Sequence, residues 1–428
     1  MGTILIKKGR LVDPANKIDK VMDILIRDDK IEKVADELKC EADEIIDASG
    51  LAVMPGFIDL HVHLREPGFE YKETIATGTK AAARGGVTSI CPMPNTKPVI
   101  DSPKMVKELL ERSKDAPVHV LPVGAVTIGQ EGKELADIEG MKEAGIVALS
   151  EDGKSVMDSL LFKDALHEAA RLDIPMFSHC EDKALVNGGV MNAGAKAEEL
   201  GLPGITNSVE DVIVARDIIM TKEAGGRLHL CHCSTADSVT LVEMAHKQGL
   251  KVTAEVCPHH FTMSDDEITE DDGRFKMNPP LRSKEDVAAL KEGLKNGIME
   301  VISTDHAPHG AEEKAQSMKK APFGIVGLET SFAIGYTELV QKGYLTLSQL
   351  VEKMSLNPAK VLGIDKGSLG EGKKADIAIA DISTEYEIDS SKFASKGHNT
   401  PFDGKKVTGK VLLTITDGKI VYRSENEH

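Results

Sequence analysis

The chain is poor in cysteine: six residues, Cys40, Cys91, Cys180, Cys231, Cys233 and Cys257, in a length of 428. They are too few and too scattered to build a disulfide framework, so reduced thiols are expected. Cys231 and Cys233 flank His232 like half of a structural zinc site, but no Cys-x-x-Cys partner follows. Long apolar runs are also missing, and nothing approaches the ~18 residues that a membrane-spanning helix requires. Positive charge is in deficit: 52 Lys and Arg against 69 Asp and Glu leave a formal charge of −17. Such a surface argues against nucleic acid or an anionic membrane as partner. An anionic substrate would need a local basic pocket to hold it against that background. The first residues, MGTILIKKGRLVDP, have neither the apolar core nor the small-residue cleavage site of a signal peptide, so a cytoplasmic location is expected.

What is present reads as an ordinary globular composition, 41% hydrophobic and 28% charged, long enough to bury a large core. Both ends are rich in short strands: ILIKKGRLV, MDILIRDDKIEKVA and EIIDASGLAVMPG at the start, KKADIAIADI and KVLLTITDGKIVYR at the end. The last of these turns at Asp417-Gly418. Between them, short apolar strands alternate with helices. Strands are expected near 57–61, 88–93, 118–123, 146–149, 174–179, 228–232, 252–256 and 300–303, with helices between them that open on Ser, Thr or Asp and stop at Gly. Eight such units predict an α/β fold, a (β/α)8 TIM-type barrel over 55–365. Segments 1–54 and 366–428 would form a small β domain beside it.

The polar residues then fall in one place. In GFIDLHVHLREPG (56–68), His61 and His63 are two apart on a strand and project to the same side. That spacing suits two ligands of one metal ion, although a pair of surface or core histidines has it too. Asp152 lies just past strand four, His179 ends strand five, His232 ends strand six and Asp305 ends strand eight. Catalytic residues of such barrels sit at the C-terminal mouth, so all six N/O donors would converge there. Four histidines and two carboxylates exceed the needs of one zinc, and two metals sharing a carboxylate would use the whole set. With no obligatory thiolate, zinc leads, and manganese or cobalt stay open.

These residues carry a family resemblance. DLHVHLREP (59–67) and STDHAPHGAEEK (303–314) resemble the two signatures of dihydroorotases, of the amidohydrolase superfamily, with Ser303 where Gly or Ala is usual. LSEDGKSV (149–156) is similar to the class I, bacterial type, and GSLGEGKKADIAIAD (367–381) to the return into the small domain. The resemblance spans essentially the whole chain. It implies reversible cyclisation of N-carbamoyl-L-aspartate to L-dihydroorotate in pyrimidine biosynthesis, with two zinc ions per chain. By motif, His61, His63, Asp152 and Asp305 would hold one metal, and Asp152, His179 and His232 the other, with Asp152 bridging. Asp305 would also be the general acid/base. Hydantoinases and allantoinases usually bridge their metals with a carboxylated lysine, and strand four offers none; Lys154 falls in the loop beyond. A catalytically inactive homologue serving as a scaffold is expected to lose metal ligands, and none of the six is missing.

For the substrate, the resemblance assigns the carboxylate to Arg65, whose alternative is a surface salt bridge. It adds His63, Asn95, Asn278 and His309, with backbone groups of Pro322, Phe323 and Gly324. By residue type alone, asparagines before Thr or Pro are usually turn formers. His259 and His260 follow strand seven when the ligand set is already full, and are read as supporting or packing residues. His306 should point away from Asp305. Residues 306–324, polar and poor in apolar periodicity, are expected to form a loop over the substrate, or else a solvated connector. DDEITEDDG (265–273) reads as a solvated face. A homodimer, and association with an aspartate transcarbamoylase, are the partners the resemblance raises.

Overall fold

The structure is a computed structural model, and it describes residues 2–424. The chain starts with a β-hairpin. Thr3–Asp13 pairs antiparallel with Ile18–Arg27 around a turn in which the Asp13 carboxylate accepts from the amides of Ala15 and Asn16. Lys30–Ala35 continues the antiparallel run, and Glu44–Asp47 and Ala52–Pro55 add to Thr3–Asp13 in parallel. The far end of the chain completes this sheet. Ile377–Glu387 pairs with Ala52–Pro55, followed by Lys406–Thr416 and Lys419–Arg423, giving eight strands from both termini. Alternating Ile4, Ile6, Ile24, Ile26, Ile377, Ile379 and Ile415 fill its buried face. The turn at Asp417-Gly418 has positive φ at both residues (47° and 71°), the backbone that matches the twist of a tight hairpin. A side chain at Gly418 would stand 1.7 Å from the carbonyl oxygen of Asp28.

Ala52–Pro55 leads directly into the barrel. Its parallel strands are Phe57–Val62, Val87–Pro92, His119–Val120 with Val123–Ala125, Ala148–Ser150, Met176–Ser178, Leu228–Leu230, Val252–Val256 and Val301–Ile302. The third, expected as one strand over 118–123, comes in two pieces. Pro122 lies between them and offers no N–H to the ladder, only its carbonyl, which accepts from Val147. The ring closes beyond the eighth strand, where the His63 amide donates to the His306 carbonyl (2.8 Å). Strand interiors are apolar almost throughout, as a sheet buried on both faces requires.

The helices follow their caps. Thr74, Asp158, Thr235 and Ser283 accept from first-turn amides of Ile75–Arg84, Ser159–Arg171, Ala236–Lys247 and Lys284–Lys295, and Gly225 ends Ser208–Ala224 at φ 73°. Two features are additional to the expected pattern. Ile138–Ala144 is a helix before the fourth strand, and two helical runs over 331–340 and 347–362, joined by a turn at 341–346, each contain a π-helical stretch, Tyr336–Val340 and Glu352–Leu356. A π-helical stretch shifts the apolar stripe out of its 3.6-residue period, which removes the periodic signal from the sequence. Among the described residues no helix is long and apolar enough to cross a membrane. All six cysteines are free thiols, five of them buried.

Candidate active site

The strands deliver the six candidate ligands to one mouth. His61 lies within Phe57–Val62, and His63, Asp152, His179, His232 and Asp305 each stand one to three residues past the end of their strand. Asp59, in register with His61, turns to support. Its Oδ1 accepts from the amides of His61 (3.1 Å) and Thr304 (3.2 Å), tying the first strand to the eighth. His232 (φ 35°), Asp305 (φ 47°) and Arg65 (φ 62°) all occupy the left-handed region. Such conformations cost roughly 1–3 kcal/mol at residues other than glycine and persist where the surroundings over-determine them, as at functional sites.

Asp152 is the centre of the cluster. Its Oδ1 lies 3.2 Å from His61 Nε2, 3.4 Å from His179 Nδ1 and 3.8 Å from His232 Nε2, while its Oδ2 lies 3.5 Å from His63 Nε2. One carboxylate thus faces all four imidazoles. Asp305 faces two: its Oδ1 is 3.1 Å from His63 Nε2 and 3.5 Å from His61 Nε2. All six side chains are buried.

This arrangement fits a divalent cation. His179 Nδ1 and His232 Nε2 approach to 2.8 Å beside a carboxylate, a separation bridged by a proton on one ring or, with both lone pairs turned inward, by a cation. Among the described residues, the buried Nε2 atoms of His61 and His179 have no hydrogen-bond partner. Burial disfavours charge on His179, yet its bonds to Asp152 and Glu181 outweigh burial and lift it to about 10. The two carboxylates therefore demand positive charge, which metal ions supply in place of protons. The geometry groups His61, Asp152 and His232 as one candidate ligand set and His61, His63 and Asp305 as another.

Beyond the ligands lies a basic patch. Arg65 donates through Nε to the Pro308 carbonyl (3.2 Å), and among the described residues it forms no salt bridge. His309 donates through Nε2 to the Phe323 carbonyl (2.7 Å), and its Nδ1 accepts from Lys72 (3.1 Å). Burial and the charges of Arg65, Lys72 and Lys314 push His309 down to about 2, so it is neutral. Gly324 must be glycine: its φ is 131°, and a Cβ would stand 2.6 Å from that of Ala307.

Several expected contacts are engaged within the chain. Asn95 accepts from His63 Nδ1 (3.0 Å) and donates to Asp152 Oδ2 (3.1 Å), so it braces two ligands. Asn278 donates to Glu181, which in turn faces His179 Nε2 at 3.5 Å. The Pro322, Phe323 and Gly324 carbonyls all accept bonds from side chains, and the Gly324 amide donates to the Lys276 carbonyl. The Phe323 amide has no internal acceptor among the described residues. His306 turns away, toward Glu73 at 3.3 Å. His259 and His260 are buried, and His260 bonds the Pro279 carbonyl.

Two expected loops are more ordered than their polarity implies. Residues 306–324 contain the helical turn Ala311–Lys314 and bury Lys314, Met318 and Ala321. The acidic run beside them is only partly a solvated face. Asp265 is buried against Asn192, and Asp271 accepts from the Met318 amide, pinning the neighbouring loop.

One part of the site was not anticipated. His61 Nδ1 donates to Glu255 Oε1 (2.9 Å), His229 Nε2 donates to Glu255 Oε2 (3.0 Å), and Thr253 bonds His229 Nδ1 (2.9 Å). These bonds and the His232 amide keep Glu255 ionised, well below the ordinary carboxylate range, although burial alone would raise it. Locking the His61 proton on Nδ1 leaves the Nε2 lone pair aimed into the site. The available signal was a glutamate inside the apolar strand Val252–Val256, with a second histidine in LHLCHC on the neighbouring strand. Glu255→Gln is expected to weaken metal affinity by about 10–100-fold, read by chelator competition. Unchanged affinity would remove Glu255 from the support of the ligand.

Residues 50–238 match the family model described as dihydro-orotase-like. The chain is 48% identical over 423 residues to the dihydroorotase of Bacillus cereus, covering 99% of both. It is 51% identical over 419 residues to that of Pelotomaculum thermopropionicum, covering 98% of both. Among solved structures, L-hydantoinase (dihydropyrimidinase) from Arthrobacter aurescens superposes with a TM-score of 0.88 at 30% identity, over 99% of this chain and 96% of that one. The barrel with its small sheet is therefore the amidohydrolase architecture, and the chain belongs to the dihydroorotase family.

Proposed function

We propose that the protein interconverts N-carbamoyl-L-aspartate and L-dihydroorotate plus water, the ring-closing step of pyrimidine biosynthesis. The observation that carries this reading is the Asp152 carboxylate facing four buried imidazoles, with Asp305 beside two of them. In this reading His61, His63, Asp152 and Asp305 hold one zinc ion, and Asp152, His179 and His232 a second. Bound there, such ions lower the pKa of water and polarise a carbonyl. Asp305 takes the proton of the attacking water and returns it to the ring nitrogen that leaves; in ring closure the same proton travels backwards. Arg65 and the Phe323 amide hold the substrate carboxylate, with His63, Asn95, Asn278, His309, Pro322 and Gly324 shaping the pocket. Residues 1–54 with 366–428 would form the small domain and 55–365 the catalytic one. The working form would be a cytoplasmic homodimer, with an aspartate transcarbamoylase as candidate partner.

Hydantoin hydrolysis is the second reading, since the superposed structure is a hydantoinase. The lysine chemistry of those enzymes has no counterpart between the ligands: Lys154 Nζ donates to the Gln130 carbonyl (3.0 Å). Metal analysis coupled to assays with carbamoyl aspartate and with hydantoin separates the two. Two metals per chain with turnover of carbamoyl aspartate supports the first reading, and turnover of hydantoin alone overturns it. Arg65→Lys is expected to raise KM for both substrates with metal content unchanged, because lysine keeps the charge but not the two-pronged donor. An unchanged KM would remove Arg65 from carboxylate binding.

A further inference from the structure

Lys314 closes the short turn Ala311–Lys314 and is 3% exposed. Its Nζ donates to three backbone carbonyls: Lys276 (2.9 Å), Pro322 (3.0 Å) and Gly324 (2.8 Å). An ammonium has three N–H groups, so each is satisfied. Yet in a chain with 69 acidic residues, this buried cation forms no salt bridge among the described residues. A buried charge without a counterion is costly, and such a group is retained where its charge or its geometry is used. Burial, with the nearby charge of Lys276, brings Lys314 down to about 7, while the three carbonyl acceptors match the three N–H groups of the charged form.

The three carbonyls belong to two parts of the proposed substrate pocket. Lys276 lies two residues before Asn278, and Pro322 and Gly324 flank Phe323, whose carbonyl accepts from His309. Asn399 adds a second tie, donating to the Ala307 (3.2 Å) and Gly324 (3.0 Å) carbonyls. With its carbonyls drawn toward Lys314, the turn keeps the Phe323 amide without an internal acceptor. The Lys314 charge also acts on His309 alongside those of Arg65 and Lys72. Lys72 is paired with Glu313 (3.1 Å), so the net positive charge of the local pocket that an anionic substrate needs, in a chain of net charge −17, comes from Arg65 and Lys314.

We propose that Lys314 is a positioning residue for substrate recognition: its ammonium fixes the Pro322–Gly324 turn so that the Phe323 amide meets the substrate carboxylate, and its uncompensated charge favours that anion. The proposal rests on the substrate reading given above. Lys314→Met is expected to raise KM for carbamoyl aspartate about tenfold or more, the scale of a charged hydrogen-bond contribution. It should change kcat far less, leave two metals per chain, and speed hydrogen exchange at Gly324, whose amide donates to the Lys276 carbonyl. Lys314→Arg, which keeps the charge, should recover part of the lost affinity. In the wild-type enzyme, dihydroorotate should slow exchange of the Phe323 amide, a readout independent of how any variant folds. Arg65→Met is the control. If Arg65→Met raises KM but Lys314→Met alters neither KM nor exchange, the role of Lys314 is overturned while the pocket stands. If neither variant changes KM, the pocket reading falls and this proposal with it. Absence of Phe323 protection, or equal KM defects in the Met and Arg variants, also overturns it.

Discussion

Asp305→Asn is expected to lower kcat by about 10²–10⁴-fold in both directions, the span of a general acid/base contribution. The substitution keeps the size of the side chain and one oxygen near His63 and His61, which Asp305 Oδ1 approaches to 3.1 and 3.5 Å. The fold and part of the metal content should therefore survive. What is lost is the second basic oxygen: an amide cannot accept a proton from water and pass it to nitrogen. In the wild type, burial would lift the Asp305 carboxyl, but the His63 bond and the charge of His61 outweigh it, so it stays ionised. A variant within about threefold of wild type, with metal content measured in the same sample, would remove Asp305 from the proton path.

The second expectation concerns pH and follows from charge. Carbamoyl aspartate carries two carboxylates at neutral pH and dihydroorotate one, so closure consumes a proton. The ratio of hydrolytic to biosynthetic kcat/KM must then rise about tenfold per pH unit, about 1.4 kcal/mol each, or about a thousandfold from pH 6 to pH 9. How the two limbs share that slope reports on the site. If hydrolysis needs the proton-accepting form of the water–Asp305 pair and synthesis its conjugate acid, one apparent pKa governs both. Below it, hydrolysis rises with pH while synthesis is flat; above it, hydrolysis is flat while synthesis falls. Limbs that break at different pH values would separate the two proton transfers onto different groups. A ratio that ignores pH would mean that the reaction is another one.

The sequence alone determined the architecture and the candidate ligands, because both are written in short-range patterns. Alternating βα units, Ser, Thr or Asp caps and glycine stops are local chemistry, and His61-x-His63 with residues at five strand ends follows from barrel topology. Local patterns also placed the Asp417-Gly418 turn, where two positive φ values match the hairpin. Only the tertiary structure decided which atoms meet. That Asp152 faces four imidazoles while Asp305 faces two depends on strands from about thirty to more than two hundred residues apart, and no periodicity encodes it. The Glu255–His229 support of His61 hid inside apolar strands, where a polar side chain is tolerable only because its partners come from neighbouring strands. Lys314 read as one more charge in a polar loop. Its burial is set by two carbonyls of the turn that follows it and one from the segment before Asn278, and a cation satisfied by backbone leaves no complementary residue in the sequence to reveal it.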